Sequence, residues 1–556
     1  MAADLTSIFQ QLDSQLEDIL AGWNIYTTLI ALVLAAYLVS PLFFYTEPDV
    51  HPLLLARQSS ASYVRQPKES ATFRALETQH GYPLKSGLNV KDAGQPKWTS
   101  GRDGDLRDVW KRAVSGPVDA DGKPTGEEAG KITTVYGKEE VIDHSFAKLS
   151  REINAAGQHM KVHGGTRVAI HMPNSVELLV TFFASAFYGL TPILIPQQKS
   201  LDTLAGILME TKADILVAGA GSLPLKELLP KYPNLKQVIW VVERTSRHMD
   251  WNEVAEGEGG KADIAVWHDI IDKKQASSEL PDDVPGGTVT NVVMVTEDAW
   301  SAMDSYELTE FTQANFVAAI GAQISALPRL HRLAPTDTFT PLASLAEMYP
   351  LIVTLAALFS NASLALTSVS GPKAPYSAAF QGASPTVIVA NTETLSGFCK
   401  DKERTMSSSP LGQFNQWRKA KMLKAGTMPK ASGLTNTPRL IYTYDKAGAS
   451  TVKLDPEELF KLKIYSGARL VYAFTDSQVA GAISQTNMLD YQNTSADFGA
   501  PLSSVEIKLR DAEDGKTTDD KALGELVVSG PAVVGGEKVV NQIMTVTDRC
   551  TLAYAS

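Results

Sequence analysis

Cysteine is nearly absent: Cys399 and Cys550 are the only two in 556 residues. Two thiols exclude a disulfide framework and any Cys-x-x-Cys zinc site, and their scarcity agrees with a reducing compartment. The nine histidines (His51, His80, His144, His159, His163, His171, His248, His268 and His331) form neither His-Glu-x-x-His nor a paired metal spacing. They read as surface or locally satisfied side chains, and no metal is expected. Positive charge is also in short supply, with 51 Lys and Arg against 62 Asp and Glu, a net charge of -11. An acidic chain does not suit broad binding to phosphate backbones, so no nucleic-acid partner is expected. Internal repeats and long low-complexity tracts are missing too. What remains, 44% hydrophobic and 20% charged, is the composition of a folded protein. The length is too great for one ordinary domain.

The first positive feature is an uncharged run from Ile19 to Thr46. A helix needs about 20 apolar residues to cross a bilayer, and Trp23 and Tyr45 bracket the run as interfacial aromatics do. A cleaved signal peptide would want a basic start and a shorter apolar stretch. Here the leader over residues 1–18 is acidic (Asp4, Asp13, Glu17, Asp18), and apolar residues at helical spacing from Ile8 to Leu20 extend the run. Residues 19–46 are therefore expected to form an uncleaved transmembrane helix. The leader has no Lys or Arg, whereas Arg57, Arg65 and Lys68 follow the run. Positive charge is retained on the cytosolic side, so the expectation is a single-pass membrane protein with its large domain in the cytosol. The ending Tyr554-Ala555-Ser556 is not a peroxisomal signal. The endoplasmic reticulum is the expected membrane, with the mitochondrial outer membrane and lipid droplets as alternatives.

Residues 47–133 are polar and rich in turn signals, and read as a lead-in lying over the main domain. From about Thr134 the pattern changes. Strand-like runs at Arg167–Met172, Thr191–Pro196, Asp214–Ala218, Gln237–Glu243 and Asn291–Val295 alternate with helical segments such as Ser175–Tyr188 and Leu201–Lys212. After a helix over Thr312–Leu327, further strands are expected at Thr338–Leu342, Pro385–Ala390, Arg439–Tyr444 and Ala468–Phe474. The alternation predicts an α/β fold, with parallel-sheet layers flanked by helices. Ser504–Arg510 and Gly524–Ser529 alternate like antiparallel strands and predict a β-rich end. Two weaker signals are read as bland. The Tyr442-x-x-x-Lys446 spacing has no Gly-x-Gly-x-x-Gly to support it, and Asp103-Gly104-Asp105 is a solvated turn.

Several stretches, in order, carry a family resemblance. They are Gly165–Ile170 with Pro173-Asn174-Ser175, Phe182–Pro192, Thr312-Gln313-Ala314-Asn315, Tyr472-Ala473-Phe474-Thr475-Asp476, Gly499-Ala500-Pro501 and Gly524-Glu525-Leu526. Together they resemble the AMP-forming, adenylate-forming ligases, and most closely fungal long-chain acyl-CoA synthetases. The resemblance implies the large N-terminal domain of that fold over residues 134–540. It implies a short tail over 541–556, with the family's mobile C-terminal domain absent. For an active member it also implies ATP, Mg and CoA as cofactors, and formation of an acyl-adenylate from a fatty acid.

The residues that would do this chemistry depart from the family pattern. An ungapped count back from Thr312 puts Ala299–Leu308 at the family's Gly-rich phosphate loop, with no glycine and with Glu307 at its Lys position. Trp300, Met303 and Tyr306 are expected to fill the phosphate space, and Asp298, Asp304, Glu307 and Glu310 to repel a triphosphate. Thr443–Ser450 replaces the adenine-side motif, and Ser344 stands where the family has His. No Thr-Gly-Asp follows Gly530-Pro531. By the resemblance, Tyr472, Thr475 and Asp476 are vestigial nucleotide-site candidates, Thr475 and Asp476 also vestigial catalytic ones. Asp476 takes the place of the magnesium-side acid. The expected function is a membrane-anchored, catalytically degenerate binding or scaffold protein of lipid metabolism, with no cofactor. Its expected partners are a membrane, fatty acid or acyl-CoA, and active family members. The alternative is an active long-chain fatty acid–CoA ligase using ATP, Mg and CoA.

Overall fold

The computed structural model describes residues 21–555 except 45–46, 93, 97, 120–122, 137–139, 198, 243–261, 274–275, 285–286, 288, 298–304, 408, 430–436, 449–451, 493–496, 513–514 and 519–521. Residues 1–49 and 50–556 form two separate compact units. In the first, Ile25–Phe44 is a 20-residue helix without a charged residue. Asn24 starts it, its side-chain oxygen accepting from the amides of Tyr26 and Thr27. The described side chains of this helix end at Ala36, and among the described residues no helix is long and apolar enough to cross a membrane.

The second unit is built on three sheets. A seven-stranded sheet runs in the spatial order Tyr306–Phe311, Val292–Glu297, Thr191–Leu194, Arg167–His171, Ile215–Gly219, Gln237–Val241, Asp263–Val266. All its pairings are parallel except the first, a hairpin in which Thr296 faces Glu307. A nine-stranded sheet has a parallel centre of Arg469–Thr475, Leu440–Lys446, Val387–Val389, Thr338–Pro341, Ser363–Thr367 and Ile132–Tyr136. The expected α/β layers are thus present. A six-stranded antiparallel sheet forms the β-rich end.

This last sheet takes strands from both ends of the unit. Ser59–Ala61 and Phe73–Ala75, from the segment read as a lead-in, pair with each other and then with Glu506–Arg510. Residues 541–556, read as a tail, continue the strand Glu537–Val546 and supply Leu552–Tyr554. The reason is burial: Val540, Met544 and Leu552 face the core at 1% exposure or less, which a free tail would forfeit.

Most residues that carry the family resemblance hold backbone in place. Thr312 and Asn315 form a capping box at the start of the helix Gln313–Ser325, each side chain accepting from the other's amide. The Asn315 side chain also donates to the carbonyl of Pro531, 2.7 Å away, which ties this helix to the Gly530-Pro531 turn. Asn174 clamps the loop after Thr338–Pro341, donating to the carbonyls of Pro341 and Ala343 and accepting from the amide of Leu345. Ser175 caps the buried helix Val176–Tyr188. At Gly499, φ is +68° and a Cβ would come within 2.0 Å of the Gln485 carbonyl oxygen. Gly499→Ala is accordingly expected to cost about 1–3 kcal/mol. A thermal melt checks this, and an unchanged midpoint would show that the turn gives way freely.

Candidate active-site cleft

In a parallel sheet with helices on its faces, ligands bind beyond the carboxyl ends of the strands. At that edge of the nine-stranded sheet stand Glu347, after Thr338–Pro341; Asn391, after Val387–Val389; Tyr444 and Lys446, ending Leu440–Lys446; and Thr475 and Asp476, ending Arg469–Thr475. Register sets Lys446 directly beside Thr475. The hairpin of the other sheet brings Glu297 and Glu307 to the same place. Lys446 Nζ donates to the carbonyl oxygen of Glu297 at 2.8 Å. Gln478 joins the remaining pair, its amide donating to Asp476 Oδ1 at 2.9 Å and its side chain to Glu307 Oε1 at 3.0 Å.

The electrostatics follow from this crowding. Burial lowers the Lys446 ammonium, and Glu307, Asp476, Glu347 and Glu297 pull it back up. Burial raises the Asp476 carboxyl, with Glu307 adding to the rise and the Gln478 amide, Lys538 and Lys446 opposing it. Burial also raises Glu347, which accepts from the Tyr444 hydroxyl at 2.5 Å. Three lysines thus face four acids: Lys446, Lys538 and Lys199, whose Nζ lies 3.8 Å from Glu297 Oε1.

Of the site residues expected from sequence, the structure brings together Glu307, Thr475 and Asp476. Thr475 Oγ1 donates to the carbonyl of Asp445 at 2.9 Å and is committed to the sheet. Tyr472 lies three positions before Thr475 on the same strand and so faces the opposite side of the sheet. There its ring packs on Phe498 with centroids 4.9 Å apart. Its hydroxyl is 3.5 Å from Asp445 Oδ2, an atom that also accepts from Tyr554 at 2.6 Å.

Two expectations need correction. Tyr306 does not fill phosphate space: it faces the helix Leu201–Thr211, its hydroxyl donating to Glu210 at 3.1 Å. Glu310 does not face the cleft either, since it accepts from the Asn291 side chain at the far end of the hairpin, at 2.9 Å. The cause is that Tyr306–Phe311 is a strand, so its side chains alternate and only the Glu307 side points at the cleft. Asp298, Trp300, Met303 and Asp304 lie outside the described residues.

Sequence reasoning passed over Lys446, Glu347, Tyr444 and Asn391. The Tyr442-x-x-x-Lys446 spacing was the one visible mark of Lys446. Its meaning is positional, a lysine at the carboxyl end of a central parallel strand.

Comparison with known proteins agrees with this architecture. Residues 125–285 match the model of the AMP-binding enzyme family. Among curated proteins no sequence matches significantly. Solved structures match in fold. An anthranilate CoA ligase in complex with anthranoyl-AMP aligns with a TM-score of 0.58 at 14% identity, over 84% of this chain and 79% of that one. A long-chain-fatty-acid–CoA ligase from Archaeoglobus fulgidus aligns with a TM-score of 0.58 at 14% identity, over 86% of each chain. The N-terminal domain of FACL13 from Mycobacterium tuberculosis aligns with a TM-score of 0.57 at 12% identity, over 81% of this chain and 99% of that domain. The fold is that of the adenylate-forming ligases. Within that fold, residues 125–285 are the part whose sequence is similar to the AMP-binding enzyme family.

Proposed function

We propose that this protein is a membrane-anchored, non-catalytic member of the AMP-binding superfamily that works as a binding or scaffold protein in lipid metabolism. One observation carries the reading: at the carboxyl edge of the nine-stranded sheet, Lys446 is engaged with the Glu297 carbonyl and has Glu297, Glu307, Glu347 and Asp476 around it. A triphosphate entering this cleft would meet an excess of acid. Two of its cations are already engaged by the protein, Lys446 with the Glu297 carbonyl and Lys199 with the Glu297 carboxylate. The chain from Ala299 to Leu308 also offers no glycine to bring amides close to phosphate. ATP and Mg therefore do not fit the residues present, and no step through them is assigned.

The anchor is supported by the uncharged helix Ile25–Phe44 and the first positive charges beyond it at Arg57, Arg65 and Lys68. On this reading residues 19–46 span the bilayer of the endoplasmic reticulum or a related membrane, with the large unit in the cytosol. Fatty acid, acyl-CoA and catalytically active relatives are its proposed partners.

The test is ATP–pyrophosphate exchange by the purified full chain with long-chain fatty acid. Exchange at background is expected. Exchange above background that disappears in Thr475→Val and Asp476→Asn variants would make the protein an active fatty acid–CoA ligase. Protease added to intact microsomes should digest the large unit, and its full protection would reverse the orientation.

A further inference from the structure

We propose that the helix Pro410–Lys424 docks on the surface of an anionic lipid bilayer, as a membrane contact separate from the N-terminal helix. Its outer face begins with large apolar side chains that no described residue covers: Leu411 is 81% exposed, Phe414 62% and Trp417 59%. These recur at a spacing of three, which lines them up along one stripe of a helix. Phe414 and Trp417 stack on one another, ring centroids 5.8 Å apart. Burying this stripe in water-excluding surroundings is favourable, and an exposed apolar patch of this kind marks a contact.

Charge indicates which contact. The chain carries a net charge of -11, yet this helix has four basic residues, Arg418, Lys419, Lys421 and Lys424, and no acid. Lys419 is turned inward, its Nζ donating to the carbonyl of Ile464. Arg418, Lys421 and Lys424 point outward beyond the apolar trio, and the Lys421 ammonium sits 5.6 Å from the Trp417 ring centroid. Basic residues in a last turn also complement the helix dipole, which accounts for Lys421 and Lys424 but not for exposed Leu, Phe and Trp. The combination of Trp, Phe and Leu with flanking Arg and Lys is what an interfacial helix presents to acyl chains and anionic headgroups.

A third observation, which rests on the anchor reading above, concerns where the chain enters this unit. Gln492 donates to the carbonyl of Lys424, closing the end of the helix at 2.7 Å. Two residues before it, Asp490 accepts from the Gln58 side chain at 3.0 Å and pairs with Arg549. Arg549 in turn donates to the carbonyl of Leu55, at 3.1 Å. That carbonyl belongs to the short helix Pro52–Ala56, which follows the uncharged helix and exposes Leu53 and Leu54. A continuous hydrogen-bond chain thus links the end of the docking helix to the segment that a membrane anchor would deliver.

The experiment places an environment-sensitive fluorophore at Phe414→Cys in the full chain with Cys550→Ser, since Cys399 is buried. The protein is reconstituted in vesicles of phosphatidylcholine alone or mixed with phosphatidylserine. A blue shift on the serine-containing vesicles only is expected. It should weaken with salt and be lost in Arg418→Glu/Lys421→Glu/Lys424→Glu. Water-like emission on both vesicle types, or an equal shift on both, would overturn the proposal. So would a shift that grows with protein concentration in detergent, which would identify a second copy of the chain as the occupant. Alkaline carbonate extraction reads the N-terminal anchor independently, so failure of either contact is seen without the other.

Discussion

Replacing Asp337 by alanine is expected to cost about 3–5 kcal/mol of stability. Asp337 sits immediately before the strand Thr338–Pro341 and is 5% exposed. Arg439 grips it with two bonds, Nε to Oδ1 at 2.7 Å and Nη2 to Oδ2 at 2.6 Å. The Thr386 hydroxyl and the Ala334 amide complete the shell, at 2.8 Å and 3.0 Å. Three neighbouring strand starts therefore converge on one carboxylate, and its removal strands a guanidinium and two donors together. Burial alone would raise this carboxyl, but Arg439, Thr386 and Ala334 hold it below the ordinary aspartate value. With the folded value below the unfolded one, its contribution is complete above about pH 4 and is lost as the pH falls through the folded value. Asp337→Asn should therefore flatten the acid side of the stability profile as well as lower it. Urea titrations between neutral and acid pH measure both, and an Asp337→Ala midpoint equal to wild type would refute the hub.

Lys446→Met is expected to lower stability by about 1–3 kcal/mol at neutral pH, less than for a fully enclosed pair because solvent reaches part of the cleft. The lysine offsets Glu307, Asp476, Glu347 and Glu297. Asp476 and Glu347 already titrate above their ordinary values because of burial, and loss of Lys446 raises them further. A carboxyl whose folded value is raised disfavours folding at higher pH, and the penalty is relieved as pH falls through that value. The Lys446→Met deficit should thus shrink on acidification. Adding Glu307→Gln should restore part of it, since one acid of the uncompensated set is removed. A deficit that grows in acid, or a double variant worse than the single, would contradict the proposed charge balance.

How much of this could be read in advance depends on how local each cause is. The Thr312–Asn315 pattern is a capping box whatever surrounds it, and Gly499 stands where the chain approaches another carbonyl too closely for a Cβ. These residues carry the family resemblance because they build the fold, which explains why the resemblance identified the architecture. The strand Tyr306–Phe311 was not legible. Its sequence, Tyr-Glu-Leu-Thr-Glu-Phe, alternates without one clean apolar face, and the resemblance assigned its first residues to a loop. Only pairing with Val292–Glu297 shows which side chains face the cleft. That pairing turns Tyr306 away from it and leaves Glu307 facing it.

The sequence by itself determined the alternation of strands and helices, the uncharged N-terminal run, the acidic balance and the absence of glycine from Ala299 to Leu308. Each is a property of neighbouring residues or of a sum over the chain. The tertiary structure decided that Lys446 stands with Glu297, Glu307, Glu347 and Asp476, and that the basic helix Pro410–Lys424 keeps Phe414 and Trp417 in solvent. Neither could be read along the chain. The first depends on which parallel strands lie side by side and how two sheets meet. The second depends on which face of a helix its neighbours leave uncovered.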